Sequence, residues 1–393
     1  MNISEVLSRS IDKIYPSRED LEKILKSGKK LKIYLGVDPT GPHLHLGHAT
    51  NLLVLSRFQD SGHKIIFLIG DFTGRIGDPT DKLSTRKQLS EREVKENFKT
   101  FKKQVSKIIK FSGKNAAKVE FNSRWWKNMK LADFFGILSN FTERQMIQRD
   151  MFQERIKNNE PIGLHEFMYP LLQGYDSVAM DVDMEIGGTD QTFNMLIGRD
   201  LMRIYKNKNK FVLTTKLLEN PKTGKKLMNK SEGGLINLDD EPNDMFGKVM
   251  ALPDEVISTV AEFSTLMPMD EFGKLKEMPP RDAKARAAHW VVRTFYGEKE
   301  AVYAEKEFDK VFRTRELPSD MPQYVIKEGR DTTIAVLTDT GIVSSNSEAV
   351  RLVQQGGVTL DGVKITDPRK SLDVKEGGSI LKSGKRHFIK VIK

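Results

Sequence analysis

"LKIYLGVDPTGPHLHLGHATNLLVLSRFQDSGHKIIFLIG", residues 31–70, holds the pattern that decides the fold. Its first seven residues, "LKIYLGV", form an apolar, β-rich run that predicts a buried strand. "DPTGPHLHLGH" follows as a proline–glycine turn. "ATNLLVLSRFQDSG" then carries apolar residues at helical spacing and stops at Gly62. Residues 64–70, "KIIFLIG", make a second β-rich run. Strand, loop, helix and strand in this order form a βαβ unit, so the fold class is α/β, a parallel sheet with helices on both faces.

Outward from this unit, residues 90–160 predict a charged, mostly helical insertion. Within it "RWWKNMKLADFFGILSNF" (124–141) supplies aromatic bulk, and the insertion as a whole is a candidate dimer surface. "DVDMEIGGTDQ" (181–191) returns to the sheet as a strand running into a glycine turn. From about 240 to 315 the pattern is helical, most clearly in "DAKARAAHWVVRTFYG" (282–297). The proline-containing linker "RELPSDMPQYVIKEGRD" (315–331) leads to a segment of different character. There "SSNSEAVRLVQQGG" (344–357) predicts a capped helix, "VTLDGVKI" (358–365) a hairpin with an Asp-Gly turn, and "GGSILKSGKRHFIKVIK" (377–393) a strand, turn and strand.

The chain has 393 residues, too many for one core, which implies two or three domains. Hydrophobic residues make up 38% and charged residues 30%, a globular balance. The amphipathic, acid-containing start does not read as a signal peptide, and no apolar run is long enough to span a bilayer. With no cysteine, disulfides, thiol catalysis and Cys-ligated zinc are excluded, and a reducing cytoplasm suits the composition. A net charge of +10 favours a polyanionic partner.

Four constellations carry chemistry. His45 and His48 stand three apart where a helix begins, so they share a face beside free N–H groups that suit phosphate. Gly47 between them lets a flat ring approach the backbone. Two surface histidines, or half of a metal site, would give the same pattern. "GGTDQ" (187–191) puts a carboxylate after a parallel strand, where ribose hydroxyls bind, although an ordinary Asx turn reads the same way. Tyr169, Gln173 and Asp176 are spaced to share one helix face, either lining a cleft or facing solvent. "GKKLMNKSEGG" (224–234) offers mobile lysines to a polyphosphate, or is a basic hairpin tip.

Taken together and in this order, these stretches resemble class I aminoacyl-tRNA synthetases, in particular the bacterial tyrosyl-tRNA synthetase family. "HLGH" resembles the first class signature, and "LMNKS" sits where the second, Lys-Met-Ser-Lys-Ser, is expected. "FLIGDFTGRIGDPT", "LHEFMYPLLQGYDSVAMDVDMEIGGTDQ" and "DMFGKVMALPDEVI" extend the likeness, and "SNSEAVRLVQQGGVTLDGVKI" resembles an S4-like RNA-binding domain. The resemblance implies a Rossmann-like parallel-sheet catalytic domain over 1–238, with a helical insertion at about 90–165 and a signature loop at 221–236. An α-helical domain for the anticodon region over 239–316, a linker over 317–330 and a small α+β S4-like domain over 331–393 would follow.

The resemblance further implies a homodimer that uses ATP with Mg²⁺, L-tyrosine and tRNA(Tyr), with no metal held by the protein itself. Thr40, His45, His48, Lys226, Lys230 and Ser231 would act on the phosphates. Asp38, Gly47, Gly188, Asp190, Leu218 and Met228 would bind the rest of ATP. Asp78, Tyr169 and Gln173 would take the α-ammonium, Tyr34 and Asp176 the phenol, and Gln191 would orient the amino acid. Arg351, Lys382, Lys385 and Arg386 would contact RNA, with Phe388 stacking among the cations of "KSGKRHFIK"; a solvated edge strand guarded by lysines, and a solvated helix face at Arg351, would read the same way. A tryptophanyl enzyme is disfavoured by Tyr34 with Asp176, a small-molecule adenylyltransferase by the S4-like tail, and a non-catalytic RNA-binding paralogue by the nearly complete site.

One departure stands out. Leu227 occupies the place of the second signature's first lysine, and Asn229 that of its first serine. Either Lys226 supplies the charge from one residue earlier, with Leu227 bulging out, or Lys230 clamps phosphate alone. The first is preferred, because phosphate stabilisation wants more than one cation.

Overall fold

A computed structural model describes residues 3–7, 9–78, 89–229, 234–314, 316–319, 321–343, 345–384 and 387–393. The chain divides into two compact units, Met1–Glu241 with Lys248–Glu298, and Pro242–Gly247 with Lys299–Lys393.

The first unit is organised by a six-stranded sheet. Its strands are β1 (Ile11–Tyr15), β2 (Lys32–Val37), β3 (Lys64–Ile69), β4 (Lys118–Phe121), β5 (Met184–Gly188) and β6 (Phe211–Thr215), in the spatial order β1-β6-β5-β2-β3-β4. Five strands run parallel, and β1 pairs antiparallel with β6 at one edge. The helix α1 (Leu46–Asp60) crosses from β2 to β3, so the βαβ unit read from residues 31–70 is present. β4 lies inside the stretch expected to be helical. Its four residues, "KVEF", are too few to show a period, and pairing with β3 is what makes them a strand.

Pairing from β2 runs outward in two directions, to β3 and β4 on one side and to β5 and β6 on the other. The crevice between β2 and β5, at their carboxyl ends, is where such sheets bind ligands. Tyr34 and Glu185 are register partners across that seam. Tyr34, Ile66 and Leu68 pack together on one face with Val182. Over that face lie α2 (Leu164–Met180) and α3 (Thr192–Lys206). These helices cross at Gly174, where an added Cβ would stand 2.9 Å from Ile197 and 3.0 Å from the Gly198 backbone nitrogen. Glycine is therefore what lets the two backbones meet. The helices Ile257–Ser264 and Pro280–Tyr296 belong to the same unit.

The second unit holds a five-stranded sheet of β7 (Gln323–Val325), β8 (Val358–Leu360), β9 (Val363–Lys364), β10 (Ser379–Ser383) and β11 (His387–Ile392), in the order β7-β11-β10-β8-β9. Asp361 and Gly362 both have positive φ, +46° and +83°, the backbone a tight hairpin turn requires. The helix α4 (Asn346–Gln354) is capped by Ser345, whose hydroxyl accepts from the Glu348 N–H at 3.3 Å. The core gathers Val336, Leu337, Val353, Val358, Leu381, Ile389 and Val391. No helix among the described residues is long and apolar enough to cross a membrane.

Candidate active site

A cavity of about 380 Å³ opens between the carboxyl ends of β2 and β5. Its wall includes Asp38, Thr40, His45, Gly47, His48, Gly188, Asp190, Leu218 and Lys226 from the predicted nucleotide set. It also includes Tyr34, Asp78, Tyr169, Gln173, Asp176 and Gln191 from the predicted amino-acid set. Residues far apart in sequence therefore meet on one surface. Met228 does not line the cavity. It is 7% exposed with a left-handed φ of +59°, and its sulfur accepts the Ile236 N–H at 3.5 Å. Lys230 and Ser231 lie outside the described residues.

The two histidines cap α1 reciprocally. His45 Nδ1 accepts from the Gly47 N–H at 3.2 Å, and His48 Nδ1 accepts from the His45 N–H at 3.2 Å. An imidazole that accepts at Nδ1 carries its proton at Nε2 when neutral. Burial pulls His45 down to about 4 and holds His48 well below the ordinary histidine range, so both are neutral at pH 7. The outcome is two Nε2–H donors fixed by a helix start, with ring centroids 4.1 Å apart. A Cβ on Gly47 would stand 3.0 Å from the His45 ring, so glycine gives that ring room without a shift. The segment 236–238 runs alongside: Leu46 N–H donates to the Ile236 carbonyl and Leu238 N–H to the Leu44 carbonyl.

Asp190 accepts from the Lys226 ammonium at 2.9 Å, and both residues line the cavity. The Leu227 N–H donates to the Leu218 carbonyl at 2.7 Å, so this arm of the loop is pinned to the chain before it. Asp38 accepts from the Tyr169 hydroxyl at 2.8 Å and from Thr73 Oγ1 at 2.7 Å, and so links a residue predicted for the nucleotide to one predicted for the amino acid.

Among the residues predicted for the amino acid, Asp78 accepts from Gln191 Nε2 at 2.8 Å and faces Arg149 at 3.5 Å. Gln173 donates to Glu185 at 3.1 Å and accepts from Asn194 at 2.8 Å. Asp176 is 2% exposed. It accepts from Trp125 Nε1 at 2.8 Å, Trp126 Nε1 at 3.0 Å and Asn122 Nδ2 at 3.2 Å. Burial pushes its carboxyl up to about 8 against the pull of those three donors. Burial likewise raises the Tyr34 hydroxyl well above the ordinary tyrosine range.

Sequence reasoning did not single out Asn122, Trp125, Trp126, Glu185 or Asn194 as part of this site. "RWW" registered only as aromatic bulk, and nothing local ties it to a carboxylate 51 residues away.

Residues 26–313 match the family described as "tRNA synthetases class I (W and Y)". Residues 314–391 match the "Tyrosine--tRNA ligase SYY-like C-terminal domain". The chain is 41% identical over 395 residues to a tyrosine--tRNA ligase of Moorella thermoacetica, covering 98% of this chain and 94% of that one. It is 42% identical over 390 residues to a tyrosine--tRNA ligase of Haemophilus ducreyi, covering 98% and 96%. The chain belongs to the tyrosyl-tRNA synthetase family.

Solved synthetase structures share the fold. A C-terminally truncated mitochondrial tyrosyl-tRNA synthetase of Aspergillus nidulans superimposes with a TM-score of 0.66 at 23% identity, over 79% of this chain and 94% of that one. A tyrosyl-tRNA synthetase of Archaeoglobus fulgidus, complexed with L-tyrosine, does so with a TM-score of 0.58 at 19% identity, over 78% and 100%.

In the second unit of this synthetase, Arg351 is exposed on α4. Lys382 is exposed on β10, with its ammonium 5.2 Å above the Phe388 ring. Phe388 is 8% exposed beneath that lysine, so it is not the open stacking surface expected from its place among cations. Lys385 and Arg386 lie outside the described residues. Among the described residues, no cluster of three or more His, Asp or Glu side chains is arranged to hold a metal ion.

Proposed function

We propose that the chain activates L-tyrosine with ATP, giving tyrosyl-adenylate and pyrophosphate, and then transfers tyrosine to the 3′-terminal adenosine of tRNA(Tyr). The observation that carries this is the sharing of one cavity by the Tyr34–Asp176 pair and the His45–His48 pair. In the first step the tyrosine carboxylate attacks the α-phosphate. A carboxylate is already a nucleophile, so no general base is needed. Catalysis rests on positioning and on fixed donors aimed at developing charge. The Nε2–H groups of His45 and His48 and the Lys226 ammonium serve the phosphates, Asp190 and Gly188 the ribose, and Gly47 the adenine. Mg²⁺ arrives with the ATP phosphates as part of the substrate.

At the other end, Asp78, Tyr169 and Gln173 receive the α-ammonium, and Tyr34 with Asp176 receive the phenol. Phenylalanine would leave both phenol partners unmatched, a penalty that sites of this kind turn into discrimination of roughly 10⁴–10⁵.

The protein acts as a homodimer in the cytoplasm. Supporting the dimer, Leu131, Phe135, Ile156 and Leu164, within the 124–164 stretch, are 71%, 59%, 49% and 75% exposed, an apolar display that a partner copy would cover. The second unit, with Arg351 and Lys382, takes the tRNA.

The test is incubation of the protein with ATP, Mg²⁺ and one amino acid at a time, followed by isolation of the enzyme-bound adenylate. Adenylate with tyrosine alone is expected, and its absence with tyrosine contradicts the proposal.

A further inference from the structure

Behind the amino-acid wall lies a buried ion pair that none of the roles above employs. Lys210, just before β6, is fully buried, and Glu185 on β5 is 2% exposed. The Lys210 ammonium donates to Glu185 Oε2 and, at 2.8 Å, to Ser177 Oγ on α2. Ser177 Oγ stands 3.0 Å from the Tyr34 hydroxyl. The second oxygen of Glu185 accepts the Gln173 amide N–H at 3.1 Å. The fold makes room for this group: a Cβ on Gly198 would sit 2.6 Å from Lys210 Nζ and 3.0 Å from Ser177 Oγ. A buried pair is weak evidence for stability, because desolvation of two charges offsets their attraction. Its placement against Tyr34 and Gln173 points to a different use.

An ammonium only donates and a carboxylate only accepts. Ser177 accepts from Lys210 and so has its own proton to give. The competing acceptor, Glu185 Oε2, lies farther off at 3.4 Å and already takes a Lys210 proton. With the Ser177 proton on Tyr34, the Tyr34 proton has two acceptors, the neighbouring Glu185 carboxylate and a phenol oxygen in the cavity. Glu185 is already engaged by Lys210 and Gln173, which favours the phenol once it is bound. At the other end, Glu185 takes the Gln173 N–H, so Gln173 Oε1 is the atom left to accept, as it does from Asn194.

We propose that Lys210 and Glu185 form a positioning device for the amino acid. Through Ser177 the pair directs the Tyr34 proton at the substrate's phenol oxygen, and through Gln173 it presents a carbonyl oxygen to the substrate's ammonium. This rests on tyrosine occupying the cavity. A bound phenol then completes a line of hydrogen bonds that all run one way, from Lys210 through Ser177, Tyr34 and the phenol to Asp176. Phenylalanine breaks that line at its centre.

The test is ATP–pyrophosphate exchange with tyrosine and with phenylalanine, on the full-length wild type, Ser177→Ala and Lys210→Met. Ser177→Ala is expected to lower the tyrosine-to-phenylalanine ratio of kcat/KM by roughly tenfold, the factor that loss of one buried hydrogen bond supplies. KM for tyrosine rises and KM for ATP does not. Lys210→Met moves the ratio further in the same direction. If Lys210→Met does not fold, Ser177→Ala, which removes a single hydroxyl, still decides. An unchanged ratio in folded Ser177→Ala, or an equal rise of KM for ATP and tyrosine, overturns the proposal. Absence of tyrosine-dependent exchange in the wild type overturns the reading of the cavity instead, and that failure is visible before any substitution is made.

Discussion

His45 and His48 hold each other's helix start: each ring accepts a backbone N–H through Nδ1, and the ring centroids are 4.1 Å apart. Removing either donor should therefore act on the transition state more than on binding. His45→Ala and His48→Ala are each expected to slow adenylate formation by about 10²–10³-fold with little change in KM for tyrosine. Each should also cost about 1 kcal/mol of stability through the lost cap. Pre-steady-state adenylation and thermal melts check the two effects separately.

Burial gives a pH dependence with a definite sign, at His45 and also at His63, which precedes β3 and accepts the Leu31 N–H through Nδ1 at 3.0 Å. His45 and His63 are held at about 4 in the fold, against 6.5 unfolded. Between those values the unfolded chain binds protons that the folded chain does not. Their contribution to stability is present above about 6.5 and is lost as pH falls towards 4. Melting temperature measured from pH 7 down to 4 should fall, and the His45→Ala variant should fall less steeply.

Asp176 titrates the other way. Its carboxyl is raised to about 8 in the empty site, so at pH 7 it is largely protonated. A phenol O–H donated to it would favour the ionised form. Tyrosine binding at pH 7 is expected to release a proton, seen as a calorimetric enthalpy that varies with the buffer's ionisation enthalpy. Asp176→Asn should abolish that dependence and lower kcat/KM for tyrosine by at least about a hundredfold. An enthalpy independent of buffer in the wild type would count against a phenol-to-carboxylate bond.

Lys226 is ion-paired to Asp190 at 2.9 Å on the cavity wall, and the proposal that it replaces the missing signature lysine is testable. Lys226→Ala is expected to slow adenylation by roughly tenfold or more and to raise KM for ATP. Comparison with Lys230→Ala decides the matter. If only Lys230→Ala slows the step, Lys226 is a bystander.

Charge reversal in the second unit should separate the two steps. Arg351→Glu and Lys382→Glu are expected to raise KM for tRNA and to lower the salt slope of tRNA binding by about one per lost phosphate contact. Tyrosine-dependent exchange should be unchanged.

The sequence was most informative where its signal is local. β2, α1 and β3 are readable because two strand runs, a helically spaced run and a glycine stop lie within 40 residues. The histidine pair was readable because i, i+3 spacing at a helix start is itself geometry. β4 was not, since four residues show no period and only pairing with β3 makes them a strand. The partners of Asp176 were invisible for a related reason: Asn122, Trp125 and Trp126 reach it from the far side of the sheet order. Lys210 reads as one more lysine in "YKNKNKFV". Only the meeting of α2, α3 and β5 shows it buried against Ser177 and Glu185. Phe388 misled because a phenylalanine among cations looks the same whether its ring faces RNA or a core.

The most direct measurement is ATP–pyrophosphate exchange by the intact wild-type protein, with tyrosine or phenylalanine as the sole amino acid. A site that pairs a substrate hydroxyl with Tyr34 and Asp176 predicts a kcat/KM for tyrosine roughly 10⁴-fold or more above that for phenylalanine. Comparable values for the two amino acids, or no exchange with tyrosine, would contradict it.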